Sequence, residues 1–253
     1  MTLTPTLFLI VCPLALLAGF VDSIAGGGGM ISLPAYYLAG LPPALAAGTN
    51  KLSAMMGTTL ATVTYGRAGK VDFRVGIPAA LGALASSAIG ALVMTTLPDR
   101  VVQLLVLCCI PVAAVFTLRK RRQSTEPKQR TQAASRGIAL AIGCGVGFYD
   151  GLVGPGTGTF LILLFLHLFT MEEVLASGTA KLVNLASNLA ALVSLLFTGD
   201  VLILLGIPVG LCAMIGAALG SRMTIRHGGG LVRVMMLVTL GLLLAKMLLD
   251  MIG

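Results

Sequence analysis

The chain of 253 residues has no tryptophan, few aromatic residues (5%) and few charged residues (10%). Soluble domains carry about 25% charged residues, so this composition excludes a soluble globular protein. The longest strongly polar stretch covers residues 119–136, which is too short for a folded water-soluble domain. With 57% hydrophobic residues, the chain is expected to lie in a membrane over its whole length, with a thin aromatic belt at the interfaces.

The few cysteines show no metal-binding or redox spacing. Cys108 and Cys109 are adjacent, which suits neither a zinc site nor a CxxC motif. Cys12, Cys144 and Cys212 lie in apolar stretches, so we interpret all five as packing residues and predict no cofactor and no metal. Residues 1–19 lack a basic n-region and a cleavage site, which predicts a retained membrane span instead of a signal peptide.

What the chain does contain is an internal repeat. Residues 19–28 recur as residues 147–156 at an offset of 128. Residues 48–52 recur as residues 178–182, and residues 76–78 as residues 206–208, both at an offset of 130. Two halves that each carry an interrupted hydrophobic segment are typical of secondary transporters, whose site lies where the halves meet.

Apolar windows occur in equal number in the two halves, judged against the ~20 residues that cross a bilayer. They cover residues 6–25, 30–47, 52–65, 75–97 and 101–118, and then residues 137–153, 157–170, 174–197, 201–221 and 231–249. The second and seventh windows are short enough for half-helices or re-entrant hairpins. The predicted fold is an all-α polytopic membrane protein of eight to ten helical segments, in two repeats of about four to five segments each.

The positive charges predict the orientation of these segments. Thirteen of the 17 Lys and Arg residues lie in loops on one side, seven of them in residues 119–136, so this side is expected to be cytoplasmic and both termini outside. Residues 67–74 are basic whereas the equivalent loop at Gly199 and Asp200 is not, which predicts inverted repeats. The predicted organisation is a first membrane repeat (1–118), a basic cytoplasmic linker (119–136) and a second membrane repeat (137–253). We therefore interpret the net charge of +8 as a determinant of membrane topology and not as a sign of nucleic-acid binding. Binding of the linker to anionic lipid is an alternative interpretation.

Glycine-rich motifs predict a broken helix in each repeat. Glycine costs about 0.8–1.0 kcal/mol relative to alanine inside a helix, and proline also removes an N–H donor. The motifs are residues 26–29 and residues 154–158. The freed N–H groups at the start of the next half-helix would bind an anion, through Gly27, Gly28, Gly29, Gly156 and Thr157. A nucleotide-binding loop does not fit this context, whereas close helix packing through small residues remains an alternative.

Each repeat also places a lysine within a transmembrane segment, which marks a functional residue by default. Lys51 and Lys181 are equivalent in the repeat. Asn184 and Asn188 follow Lys181 at helical spacing on one face, and Thr179 precedes it; Thr49 and Asn50 are expected at the helix start beside Lys51. Two ammonium groups with amide and hydroxyl donors suit an oxyanion. The alternative is that each lysine extends to its nearer membrane surface.

Two aspartates, Asp22 and Asp150, precede the glycine breaks. They could carry a coupling proton or pair with the lysines, or they could brace the broken backbone near an interface. Paired membrane aspartates also occur in intramembrane aspartyl proteases, whose carboxylates share a proton. Tyr149 and Asp150 match one protease motif, but the Gly-x-Gly-Asp motif is missing from the sequence.

Together these motifs resemble those of the TauE/SafE sulfite-exporter family of membrane permeases, and within it the YfcA-type members. The resemblance rests on residues 19–29, 40–44, 48–52, 147–151, 154–156 and 180–184, and it extends over both halves. It implies movement of sulfur oxyanions, such as sulfite or organosulfonates, across a bacterial plasma (inner) membrane.

The expected function is therefore a secondary transporter for a small anion, working by alternating access, and not an enzyme. Lys51 and Lys181 would neutralise the anion, and the partners are the anionic substrate and the lipid bilayer. A passive anion channel is the nearest alternative, followed by an intramembrane hydrolase and a structural membrane protein.

Overall fold

The computed structural model describes residues 5–98, 101, 131–238 and 241. Within these residues the chain forms nine helices and no strand, which confirms the all-helical class. The helices are α1 (Pro5–Ala25), α2 (Gly29–Leu38), α3 (Pro43–Arg67), α4 (Phe73–Thr96), α5 (Gln132–Leu152), α6 (Thr157–Leu168), α7 (Glu173–Phe197), α8 (Ile203–His227) and α9 (Gly229–Val238). Residues 102–118 of the fifth predicted window, most of the basic linker and most of the last window after residue 238 lie outside the described residues.

Four of these helices are long and apolar enough to cross a membrane: Leu7–Ala25, Phe73–Thr96, Glu173–Phe197 and Ile203–His227. α4 and α8 each expose a row of large apolar side chains, such as Leu81 and Ile89 on α4 and Leu211 and Leu219 on α8. Exposed apolar surface of this extent belongs against lipid. The protein is thus membrane-embedded.

The glycine motifs break the helices as predicted. α1 ends at Ala25 and α2 begins at Gly29, while α5 ends at Leu152 and α6 begins at Thr157. α2 has 10 residues and α6 has 12, so both are half-length helices. Gly26 (φ 78°) and Gly156 (φ 82°) adopt the left-handed conformation that reverses the chain at each break.

The boundary between the second and third predicted windows was wrong. The window at 30–47 joins two elements, because α2 ends at Leu38 and α3 begins at Pro43. Gly40 (φ 80°) turns the chain between them, and prolines at the start of α3 favour a helix N-terminus there. As a result Thr49, Asn50 and Lys51 lie inside α3 and not at the start of a helix.

Each break is the turn of a helical hairpin, and the two turns touch. α2 packs back along α1, and α6 packs back along α5. The turn of the first hairpin meets the start of α6: a methyl group added to Gly26 or to Gly158 would overlap the backbone of the other glycine. Thr159 Oγ1 also donates to the Ala25 carbonyl at 2.7 Å. The absence of side chains at these glycines allows the two backbones to touch.

The remaining helices pack across the two halves. α1 packs on α8, and α4 on α5, through glycine and alanine residues that let the backbones approach closely. α3 and α7, which are equivalent in the repeat, cross at the centre. Lys51 on α3 contacts Asn188 late in α7, whereas Tyr65 contacts Ser177 early in α7, so the two helices are antiparallel. The inversion of the repeats across the membrane stays a prediction, as do the domain limits at 118 and 136.

Candidate functional site

The repeated lysines and aspartates converge where the hairpin turns meet α3 and α7. Asp22 lies in the last turn of α1 and Asp150 in the last turn of α5, each just before a glycine break. Lys51 and Lys181 project from the interiors of α3 and α7. The pairing is crossed: each lysine binds the aspartate of the other half.

The first pair joins Lys181 to Asp22. The Lys181 ammonium lies 2.7 Å from Asp22 Oδ2, and its side chain is completely buried. Asp22 Oδ1 accepts a further hydrogen bond of 3.3 Å from the backbone N–H of Gly28 in the turn. The Asp22 side chain is 21% exposed, so this carboxylate borders accessible space.

The second pair, Lys51 and Asp150, has the same 2.7 Å separation but more partners. Thr157 Oγ1 donates to Asp150 Oδ1 at 2.8 Å, and Ser187 Oγ donates to Oδ2 at 2.5 Å. Lys51 also donates to Asn188 Oδ1 at 3.1 Å. The Asp150 side chain is only 3% exposed, and removing either partner would leave an uncompensated buried charge.

A pocket lies beside Asp22, between α1, α2, α3 and α8. About 380 Å³ of space in and around this pocket is not filled by atoms, a volume that includes open solvent. Most of its lining consists of alanine and glycine, including Gly28 and Gly29 from the turn; its polar side chains are Asp22, Ser32, Asn50, Ser53 and Thr58. The predicted glycine backbone therefore borders open space on the first hairpin.

A second, smaller space of about 280 Å³ lies beside the other pair and is lined by Lys51, Asp150 and Gly154. Asn50 lines both spaces. Asn50 is only 8% exposed, yet its side-chain amide has no hydrogen-bond partner among the residues that the structure describes. The amide therefore faces these two spaces with its hydrogen-bonding groups available to a ligand or to water.

Other predicted site residues have different surroundings. Thr49 Oγ1 accepts from the Leu202 N–H and Thr179 Oγ1 from the Asp72 N–H, both at 3.0 Å. The hydroxyls of these threonines therefore hold the loops before α8 and α4 and make no recorded contact with the lysine ammonium groups in the described part of the chain. Asn184 bonds Asn188 at 3.4 Å beside the Lys51 pair.

The predicted anion-binding residues of the two glycine-rich turns also have hydrogen bonds within the protein. Gly27 is buried and accepts from the Met30 N–H at 3.2 Å. Gly156 precedes α6 and accepts from the Phe160 N–H at 3.0 Å. Thr157 contributes its hydroxyl to Asp150. The Gly156 carbonyl and the Thr157 hydroxyl of the second turn are thus bonded within the protein, and the larger of the two spaces lies at the first turn.

Sequence reasoning missed Ser187, which bonds Asp150, and the pocket residues Ser32 and Ser53. Ser187 lies between Asn184 and Asn188 on α7, so helical periodicity around Lys181 could have identified it. No repeated motif marks Ser32 or Ser53, because their position depends on how α2 packs against α3. Among the described residues, no cluster of His, Cys, Asp and Glu could hold a metal ion.

Comparison with known proteins gives a consistent result. A family model described as "Sulfite exporter TauE/SafE" matches residues 11–247. "Probable membrane transporter protein ORF9" of a Sinorhizobium species is 36% identical over 237 residues, covering 93% of this chain and 90% of the relative. "Probable membrane transporter protein YfcA" of Escherichia coli is 33% identical over 251 residues, covering 98% and 91%. No solved structure matches the chain.

Proposed function

The chain belongs to the sulfite exporter TauE/SafE family, and we propose that it is a secondary transporter that moves a small sulfur oxyanion, such as sulfite or an organosulfonate, across the bacterial plasma membrane by alternating access. Its relatives are named as membrane transporters, which supports a transport function and not an enzymatic one. The observation that carries the proposal is the crossed pair of buried Lys–Asp contacts between the two halves.

Buried ammonium groups supply the charge that an anion needs. Lys181 and Lys51 are nearly or completely buried, and each is held by one aspartate of the opposite half. An ammonium in a low-dielectric site attracts an anion much more strongly than one in water. The Asn50 amide and the Gly28–Gly29 backbone border the pocket beside one of these pairs and would donate the hydrogen bonds that orient an oxyanion.

Alternating access is supported by the way that the site is divided between the halves. Each ion pair joins a helix of one repeat to a helix of the other, so relative movement of the repeats must break or re-form both contacts. The two spaces both adjoin α2 and α3: the first also adjoins α1 and α8, the second also adjoins α4, α5 and α7, and Asn50 lines both. A fixed central site reached by rocking of two repeats is the usual arrangement in such carriers. The basic linker would face the cytoplasm and both termini the outside.

The test is counterflow in vesicles of purified protein. Vesicles loaded with unlabelled sulfite or methanesulfonate should take up the labelled anion transiently against its gradient, and uptake should saturate. Lys51→Ala and Lys181→Ala should each abolish this uptake, because the site then loses its positive charge. Lys70→Ala is the matched control, since Lys70 lies in a loop and pairs loosely with Glu172 at 3.7 Å.

Three outcomes would contradict the proposal. Flux without saturation or counterflow would identify a passive anion channel. Full transport by both lysine variants would overturn the assignment of the lysines. Failure of both anions to exchange would overturn the sulfur oxyanion as substrate.

A further inference from the structure

The two Lys–Asp pairs occupy equivalent positions in the repeat but differ in their surroundings. Asp150 accepts from three side chains, those of Lys51, Thr157 and Ser187. Asp22 accepts from one side chain, Lys181, and from one backbone N–H at the longer distance of 3.3 Å. Its side chain is 21% exposed against 3% for Asp150. The Lys51–Asp150 pair is therefore the more enclosed of the two, and it borders the smaller space, whereas Asp22 borders the larger pocket.

Two glycines account for this difference. The repeat aligns Thr157 with Gly29 and Ser187 with Gly57. Both hydroxyl donors of Asp150 are thus absent around Asp22, and both glycines line the pocket that borders Asp22. The lack of a side chain at Gly29 and Gly57 therefore leaves Asp22 without two hydroxyl donors and also leaves the space that forms the pocket beside it.

Lys181 depends on Asp22 more than Lys51 depends on Asp150. Lys51 has Asn188 as an additional partner at 3.1 Å. The equivalent of Asn188 in the first half is Thr58, whose hydroxyl donates to the Ala54 carbonyl at 2.7 Å instead. Within the described residues, Asp22 is the recorded side-chain partner of Lys181. Any change in the charge of Asp22 therefore leaves the ammonium of Lys181 uncompensated.

The buried charges of the described site sum to zero: two lysines against two aspartates. An anion entering this site would add an uncompensated negative charge, which is costly in a low-dielectric interior. The charge is balanced if one carboxylate binds a proton at the same time. Asp22 is the carboxylate with fewer donors and with access to the pocket.

We infer that Asp22 carries the coupling proton, so that one monovalent anion moves together with one proton. This inference rests on the proposed transport function and extends it to the coupling ion. A proton from the aqueous side converts the Asp22 carboxylate to the neutral acid. Lys181 then balances the anion, which the Asn50 amide orients. On the other side the anion leaves, the proton returns to water, and the carboxylate pairs with Lys181 again. Asp150 keeps its three side-chain donors throughout and fixes Lys51.

Other ionisable groups near Asp22 are few among the described residues. α7 contributes Lys181, and on α3 the Tyr65 hydroxyl donates to the backbone carbonyl of Ser23 at 2.9 Å. α8 faces α1 with Ala213, Ala217 and Gly220 and leaves Arg222 and Arg226 exposed. α2 presents Ser32 to the pocket, and its Tyr36 bonds Ser53 at 2.9 Å. Lys181 is therefore the charged group that responds to the ionisation of Asp22.

The experiment measures anion accumulation in vesicles under an imposed pH gradient. Methanesulfonate is the probe, because it keeps a single negative charge over the working pH range. With the acidic side outside, each pH unit should drive about tenfold accumulation, since tenfold corresponds to 1.4 kcal/mol. Because the charges cancel, a potassium diffusion potential should leave accumulation unchanged. These two measurements on the unmodified chain test the proposal even if a variant fails to fold.

Two matched variants locate the proton. Asp22→Asn imitates the protonated acid and should abolish accumulation while counterflow, which needs no net proton movement, continues. Ser187→Ala removes one hydrogen bond to Asp150 but keeps both ion pairs, so it should retain the response to the pH gradient. Accumulation that ignores the pH gradient, follows the voltage, or persists in Asp22→Asn would overturn the inference while leaving a counterflow-competent transporter intact. Absence of counterflow in the unmodified chain would overturn the proposed function and this inference together.

Discussion

Lys181 and Asp22 lie 159 residues apart in the chain, yet the ammonium and carboxylate meet at 2.7 Å inside the protein. In the equivalent contact, Lys51 of the first half binds Asp150 of the second half. Neither half can therefore neutralise its own buried lysine with its own aspartate in this arrangement. Assembly of the site requires that both halves fold and pack together.

Removal of one member of the enclosed pair should destabilise the protein. Lys51→Met leaves the Asp150 carboxylate buried without its cation, and loss of one partner of a buried pair costs about 3–5 kcal/mol. The fraction of monodisperse protein remaining after heating in detergent should fall at a lower temperature. Addition of Asp150→Asn should recover most of the loss, because no unpaired charge remains. A single variant as stable as the unmodified chain would contradict the assignment of a buried ion pair.

Asn50→Ala should weaken anion binding without weakening the fold. The amide has no partner among the described residues, so its removal breaks no recorded hydrogen bond, and alanine is the residue at the equivalent position, Ala180. A hydrogen bond to a charged ligand contributes about 1.5–3 kcal/mol, so the Kd for sulfite should rise by roughly tenfold or more. Ligand-induced thermal stabilisation measures both quantities in one titration.

Asn188→Ala provides the contrast to this prediction. Its side chain accepts from Lys51 and donates to Asn184, so its loss should lower the unfolding temperature of the ligand-free protein. Equal effects of the two alanine variants on ligand-free stability would show that Asn50 has a structural role.

Gly158→Ala should disrupt the contact between the hairpin turns. The added methyl group would overlap the backbone of Gly26, which cannot move aside as a flexible side chain could. Overpacking typically costs about 1–3 kcal/mol, so the yield of folded protein and its unfolding temperature should fall. Gly145→Ala on α5 is the control, because no atom lies within 4 Å of the added carbon there. Similar behaviour of the two variants would argue against the close approach.

The predicted inversion can be tested at two equivalent exposed positions. Ala68 follows α3 and Thr198 follows α7, and the repeat aligns them. In a cysteine-free background, Thr198→Cys should react with an impermeant maleimide added to intact cells, whereas Ala68→Cys should react only after the membrane is opened. Labelling of both from the same side would exclude inverted repeats.

Much of the fold could be predicted from the sequence because the relevant signals are local. The glycine motifs marked the helix breaks, and hydropathy marked most helices to within a few residues. The boundary between α2 and α3 was misplaced because both flanks of Gly40 are apolar, so hydropathy alone does not show the turn. The sequence signal that would have located the turn is Gly40 followed by Pro42 and Pro43, because glycine favours a turn and proline favours the first position of a helix.

The candidate site was predicted only in part. The repeat identified Lys51, Lys181, Asp22 and Asp150 because ionisable residues stand out in apolar segments. Their crossed pairing depends on tertiary contacts between the halves, which no local pattern records. Thr49 and Thr179 illustrate the same limit: both are repeated and polar, yet their hydroxyls accept hydrogen bonds from the backbone of two loops. The repeat aligns Thr157 and Ser187 with glycines. The significance of this difference is visible only when the surroundings of Asp22 and Asp150 in the structure are compared.

The contact between Gly26 and Gly158 couples the two hairpins mechanically. The two turns contact each other directly through backbone atoms. Such a contact is stiffer than one made by side chains, because side chains can change rotamer. A tilt of one hairpin must push the tip of the other in the same movement. Opening on one face of the membrane and closure on the opposite face would then be transmitted directly from backbone to backbone.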